Sequence, residues 1–87
     1  MLRILDFWAP WCGPCRIMSS IIEELEESFK DKVVFEKHNV DEEELLCSQY
    51  DVKNIPTLIF LKNDIEVFRS VGAVPKDALT DLINKYL

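Results

Sequence analysis

The sequence predicts an α/β domain built on a mixed four-stranded sheet with helices on both faces. Three observations carry that expectation: short apolar runs alternate with stretches of helical periodicity, their order reads β-α-β-α-β-β-α, and a tight turn at Asn63-Asp64 separates the last two strands. A strand–helix–strand crossover joins parallel strands and a tight turn joins antiparallel ones, so the sheet is mixed. With 87 residues the chain has room for one domain, residues 1–87.

Arg3 to Trp8 is near-continuously apolar, the pattern of a strand covered on both faces, and Asp6 is its one acid. Pro10, Trp11, Cys12, Gly13 and Pro14 break it. From Cys15 a helix begins, with Met18, Ile22, Leu25 and Phe29 on one stripe, widened by Ile21. Val33 to His38 is a second short strand. Asp41 and Glu44, three residues apart, resemble an acidic capping box that opens a short helix through Leu46 and Tyr50. Thr57 to Leu61 and Glu66 to Val71 flank the turn as strands. Gly72 interrupts, Pro75 suits a first helical position, and Ala78, Leu79, Leu82, Ile83, Tyr86 and Leu87 form the stripe of a last helix.

Composition excludes several classes of function. A hydrophobic share of 48% is too high for a disordered chain, and three cysteines are too few, and odd in number, for a secreted disulfide scaffold. Two glycines cannot build a phosphate-cradling loop. The formal charge of −6, with lysines and arginines scattered singly, speaks against nucleic acid. No apolar run reaches the roughly 18 residues of a membrane span, and Met1 leads into a strand rather than a signal peptide. The expected setting is reducing and cytoplasmic.

Cys12-Gly13-Pro14-Cys15 is the chemical centre. At a helix start the two cysteines lie one turn apart on one side, about 5–6 Å between neighbours, within the Cα range of a disulfide. Cys12 meets the unpaired N–H groups and positive dipole end of the helix, so its thiolate is favoured near neutral pH. Cys15 lies a turn inside and is more shielded, which makes Cys12 the attacking and Cys15 the resolving thiol. A carboxylate in a strand buried on both faces has a raised pKa, and Asp6 could take and return the proton of Cys15, directly or through water. A zinc set of Cys12, Cys15, His38 and Cys47 fits poorly, because the spacing lacks paired ligand knuckles, so no metal is expected. Haem attachment would need His where Arg16 stands.

Trp11-Cys12-Gly13-Pro14-Cys15 resembles the active site of the thioredoxin family, and the likeness extends along nearly the whole chain. Asp6-Phe7-Trp8-Ala9, Lys37, Asn39-Val40-Asp41, Val52-Lys53-Asn54-Ile55-Pro56-Thr57 and Val71-Gly72-Ala73 fall in register with that family. The resemblance implies a minimal thioredoxin fold and a thiol–disulfide oxidoreductase that reduces protein disulfides. It implies no bound cofactor, a redox-active Cys12–Cys15 disulfide, substrate proteins carrying disulfides, and a thioredoxin reductase that restores the dithiol. It further implies a cis bond before Pro56 and a substrate-docking surface made by Trp11, Gly13, Pro14, Ile55, Pro56 and Gly72. Two alternatives stand beside this reading: a glutaredoxin-like enzyme, whose usual C-P-[YF]-C is absent, and a thioredoxin-like binding module without redox turnover.

The sequence departs from the family in four places. Ser20 stands where a helix-kinking proline is usual, and Asp64 where a hairpin glycine is common, which makes a positive-φ turn less comfortable. Cys47 takes the place of a small residue and is expected to be a buried structural thiol. The match begins at the family's ordinary second strand, so the strand near Val33 to His38 is expected at an open edge. Lys32, Glu36 and Lys37 would protect that edge in a monomer, or it would support a weak edge-strand dimer.

Overall fold

The computed structural model describes residues 1–87 as seven elements in the anticipated order. These are β1 (Leu2–Trp8), α1 (Gly13–Ser28), β2 (Val33–Asn39), α2 (Glu44–Gln49), β3 (Thr57–Lys62), β4 (Ile65–Val71) and α3 (Lys76–Tyr86). The sheet order is β2-β1-β3-β4, with β1 parallel to β2 and the β1–β3 and β3–β4 pairs antiparallel. Asp6 stands opposite Lys37 on one side and Leu58 on the other.

The two interior strands are the two whose sequences are almost wholly apolar, because both of their faces are covered. On one face Leu2, Ile4, Leu58 and Phe60 meet Met18, Ile22 and Leu25 of α1 and Leu79 and Ile83 of α3. On the other, Leu5, Phe7, Ile59 and Leu61 pack against Leu46, Cys47 and Tyr50 around α2. Burying each such side chain contributes about 1.5–3 kcal/mol. Phe60 makes edge contacts with Phe68 and Tyr86, the ring centroids 5.5 and 5.8 Å apart. The stripe that anchors α1 is Cys15, Met18, Ile22 and Leu25, so the packing that fixes the helix also turns Cys15 toward the sheet.

Several local expectations need correction. Asp41 and Glu44 form no capping box: Glu43 is the N-cap of α2 and makes no capping bond. Tertiary partners outcompete the cap, for Asp41 accepts from the Trp11 indole and Glu43 engages His38 Nδ1 at 2.9–3.0 Å. Pro75 is the N-cap of α3 rather than its first helical residue. At the hairpin both Asn63 (φ 53) and Asp64 (φ 65) take positive φ, as a two-residue turn between strands requires. Asp64 tolerates this as a short polar residue can, and its carboxylate accepts from Arg3 Nη1 at 2.8 Å. Helix α1 runs unbroken through Ser20, and the Ile55–Pro56 bond is cis.

Candidate redox site

The β1–α1 loop delivers Cys12 to the helix as its N-cap, in an extended conformation (φ −94, ψ 110). Its Sγ accepts the backbone N–H of Cys15 at 3.2 Å, a bond that stabilises negative charge on the sulfur. Pro14 sits in the first turn, where no intrahelical partner for its nitrogen is needed. Cys12 and Cys15 are joined as a disulfide with Cα atoms 5.3 Å apart, as the one-turn spacing implied.

The two cysteines face different surroundings. Cys15 lines a cavity of about 280 Å³ together with Asp6, Trp8, Arg16, Ser19 and Lys37, whereas Cys12 does not. Asp6 is 1% exposed and its Oδ1 has no hydrogen-bond partner in the protein; the same holds for the buried indole N–H of Trp8 on the cavity wall. Burial pushes the Asp6 carboxyl up to about 6, against the opposing pull of the positive charges of Lys37 and His38. Lys37 Nζ is held by Ser19 Oγ at 2.8 Å.

Around Cys12 the surface is apolar and open. Trp11 is 67% exposed, which excludes a core role, and its Nε1 donates to Asp41 Oδ2 at 3.0 Å. Beside it runs a groove lined by Trp11, Val40, Val52 and Ile55, with Glu44 and Lys53 supplying charge. Ile55 packs against Ala9, Cys12 and Cys15, and neither its N–H nor its C=O is paired with another backbone group. Pro56 is buried, and its carbonyl accepts the N–H of Gly72 at 2.8 Å. Gly72 has φ +96 in open space, so glycine is required there by backbone conformation rather than by crowding. Gly13 and Pro14 are exposed.

Cys12, Cys15, His38 and Cys47 are not gathered as a ligand set. Instead the His38 ring packs near Phe7 and lies between Glu43 and Glu36. Cys47 corrects the expectation of a buried residue: it is a half-buried free thiol at the groove wall. Burial and the nearby charges of Glu43 and Glu44 push that thiol up, which disfavours its reactive form. Sequence reasoning passed over Asp41, Ser19, Trp8 and Arg16 as parts of the site. The signal for Ser19 was its place one turn beyond Cys15, on the face that meets the β1–β2 pair.

A disulfide at a helix start, with one sulfur beside an exposed tryptophan and an apolar groove and the other beside a buried carboxyl, defines a thiol–disulfide redox protein. A family model described as Thioredoxin matches residues 1–85. Thioredoxin of Bacillus subtilis is 46% identical over 84 residues, covering 97% of this chain and 81% of that one. The chloroplastic M-type thioredoxin of spinach is 45% identical over 97% of this chain, which spans only 46% of the spinach protein's length. A solved point mutant of a thioredoxin from Halobacterium salinarum superposes with a TM-score of 0.90 at 38% identity, covering 98% of this chain and 74% of that one. The germline-specific thioredoxin Deadhead of Drosophila melanogaster gives a TM-score of 0.92 at 36% identity, covering 99% and 81%. The chain belongs to the thioredoxin family. It is a thiol–disulfide oxidoreductase acting through Cys12 and Cys15.

Proposed function

We propose that the chain works as a reductant of protein disulfides, with Cys12 attacking, Cys15 resolving and Asp6 handling the proton. The observation that carries this division of labour is the cavity: Cys15 shares it with the buried Asp6, while Cys12 is the N-cap beside exposed Trp11.

The Cys12 thiolate attacks one sulfur of the substrate disulfide, and the other substrate sulfur leaves as a thiolate. A mixed disulfide now links Cys12 to the substrate. The Cys15 thiol gives its proton to ionised Asp6 and attacks Cys12 Sγ. The bond to the substrate breaks, the second substrate sulfur departs with the electron pair, and the proton on Asp6 is released to it or to water. The substrate gains two electrons, its two thiolates take up the Cys15 proton and one proton from water, and Cys12–Cys15 is left oxidised.

The free backbone groups of Ile55 suit an extended substrate segment, which would add its own N–H and C=O beside Cys12. Trp11, Gly13, Pro14, Pro56 and Gly72 complete the docking surface, with Pro56 and Gly72 tied by their hydrogen bond. No resident cofactor enters the scheme, and a thioredoxin reductase would return the dithiol. In insulin reduction, turnover driven by a thioredoxin reductase is expected to exceed turnover driven by glutathione. The reverse ranking would favour a glutaredoxin-like enzyme.

A reducing, cytoplasmic compartment suits this direction of electron flow. No helix is long and apolar enough to cross a membrane. At the β2 edge of the single domain, Glu36 is already bound by Arg3 through Nε at 2.7 Å and Nη2 at 3.2 Å, and Lys37 is exposed. Charges so placed disfavour strand addition, and the working unit is a monomer. Sedimentation equilibrium at high protein concentration checks this, a dimer being the contrary result.

A further inference from the structure

The Asp6 cavity contains one interaction that the redox cycle does not use. Asp6 and Lys37 stand opposite each other on neighbouring strands, so a lysine ammonium and a buried carboxyl share one face of the sheet. An ammonium normally closes on such a carboxylate. Instead Lys37 Nζ bonds to Ser19 Oγ, on the second turn of α1, and Asp6 Oδ1 remains unpartnered. We propose that Ser19 is a positioning residue for proton transfer: its hydroxyl tethers the Lys37 ammonium at the cavity mouth and keeps it off the Asp6 carboxyl.

The charge balance makes the tether consequential. Asp6 shares its sheet face with Lys37 of β2 and its cavity with Arg16 and Cys15 of α1, His38 acts on it through space from the opposite face beside Phe7, and its β3 neighbour Leu58 is apolar. Lys37 acts on Asp6 through space and makes it easier to ionise. A direct ion pair would strengthen that pull and leave a carboxylate too weakly basic to take the Cys15 proton near neutral pH. With the ammonium held by a neutral hydroxyl, Lys37 moderates Asp6 without capturing it. The hydroxyl therefore sets the pH range over which the mixed disulfide is resolved. Ser19 touches neither substrate nor a reacting sulfur in this scheme, and its effect passes wholly through Lys37.

The proposal rests on the assignment of Asp6 as the base for Cys15, so its test separates the two. The readout is the single-turnover rate of mixed-disulfide resolution from pH 5 to 8, with the carboxyl carbon shift of Asp6 followed by NMR. Ser19→Ala frees Lys37 to approach Asp6, and both the acid limb and the Asp6 titration are expected to move down by on the order of 0.5–1 pH unit. Ser19→Thr keeps the hydroxyl and is expected to superpose on the wild type. Both changes fall on a half-buried helix position where alanine is the better helix former, so folding is preserved. A Ser19→Ala profile that superposes on the wild type overturns the tether, as does a Ser19→Thr shift equal to that of alanine. In Asp6→Asn the acid limb is expected to vanish. If it persists there, the base assignment fails and the tether with it; if it vanishes while Ser19→Ala shifts nothing, the tether alone fails.

Discussion

Replacing Cys12 by serine is expected to lower insulin reduction by at least about a thousandfold, because a hydroxyl at this position cannot act as the nucleophile of disulfide exchange. The structure gives the loss a specific shape. Everything that favours an anion at the mouth of α1, namely the dipole and the Cys15 N–H on Cys12 Sγ, serves one atom, and serine does not ionise there. The companion variant distinguishes the two cysteines. Cys15→Ser leaves the attacking thiolate in place and removes the resolving one, so a mixed disulfide with the substrate is expected to accumulate and to be visible as a band released by reductant. Cys12→Ser should trap none. If Cys12→Ser traps substrate and Cys15→Ser does not, the roles are exchanged, and the significance given to the Asp6 cavity beside Cys15 is lost.

The parts of the fold that were legible in the sequence are those decided by local pattern. The apolar runs of β1 and β3 announced interior strands because both faces of each are covered. The stripe Cys15, Met18, Ile22 and Leu25 announced which side of α1 faces the sheet. The cysteine pair was legible as chemistry because its spacing and its place at a helix start are local facts. What escaped was settled by partners distant in sequence. Asp41 and Glu44 carry a capping pattern, yet Asp41 is taken by Trp11, 30 residues away in the chain, and Glu43 turns to His38. Arg3 reaches Glu36 and Asp64, 33 and 61 residues away, bonds that follow from strand order and not from any local signal. Ser19 on Lys37 is of the same kind: one serine on a helix and one lysine on an edge strand become informative only when β1 and β2 are in register. The cis bond before Pro56 came from family resemblance alone, since nothing local distinguishes a cis from a trans bond there.

Asp6→Asn is expected to move stability and activity in opposite directions, and the sign of each follows from burial. In the folded protein the carboxyl is raised from its ordinary 3.8 to about 6, chiefly by desolvation. The native state therefore holds its proton more tightly than the unfolded chain does. Below pH 3.8 both states are protonated and Asp6 costs nothing; as pH rises toward and through about 6 the unfolded state ionises freely while the native state must ionise in a buried site. A rise of this size withdraws about 3 kcal/mol of stability once the pH is above 6. Asparagine cannot ionise, so its advantage over aspartate is expected to grow by up to about 3 kcal/mol between acid and pH 8. In urea titrations this reads as a variant whose midpoint gains on the wild type as pH rises; any fixed cost of burying the amide cancels in the comparison. An advantage that does not change with pH would show that Asp6 ionises as readily in the folded protein as in the unfolded chain, and so that burial does not raise its pKa. In the proposed mechanism the same substitution removes the group that accepts the Cys15 proton, a role worth about 10²–10⁴ in rate for positioned general bases. Resolution of the mixed disulfide is thus expected to slow by at least about tenfold at pH 7 and to lose its acid limb. A carboxyl that destabilises the fold at working pH, in a strand where every other buried neighbour is apolar, fits the proton-transfer role proposed for it and contributes nothing to the fold.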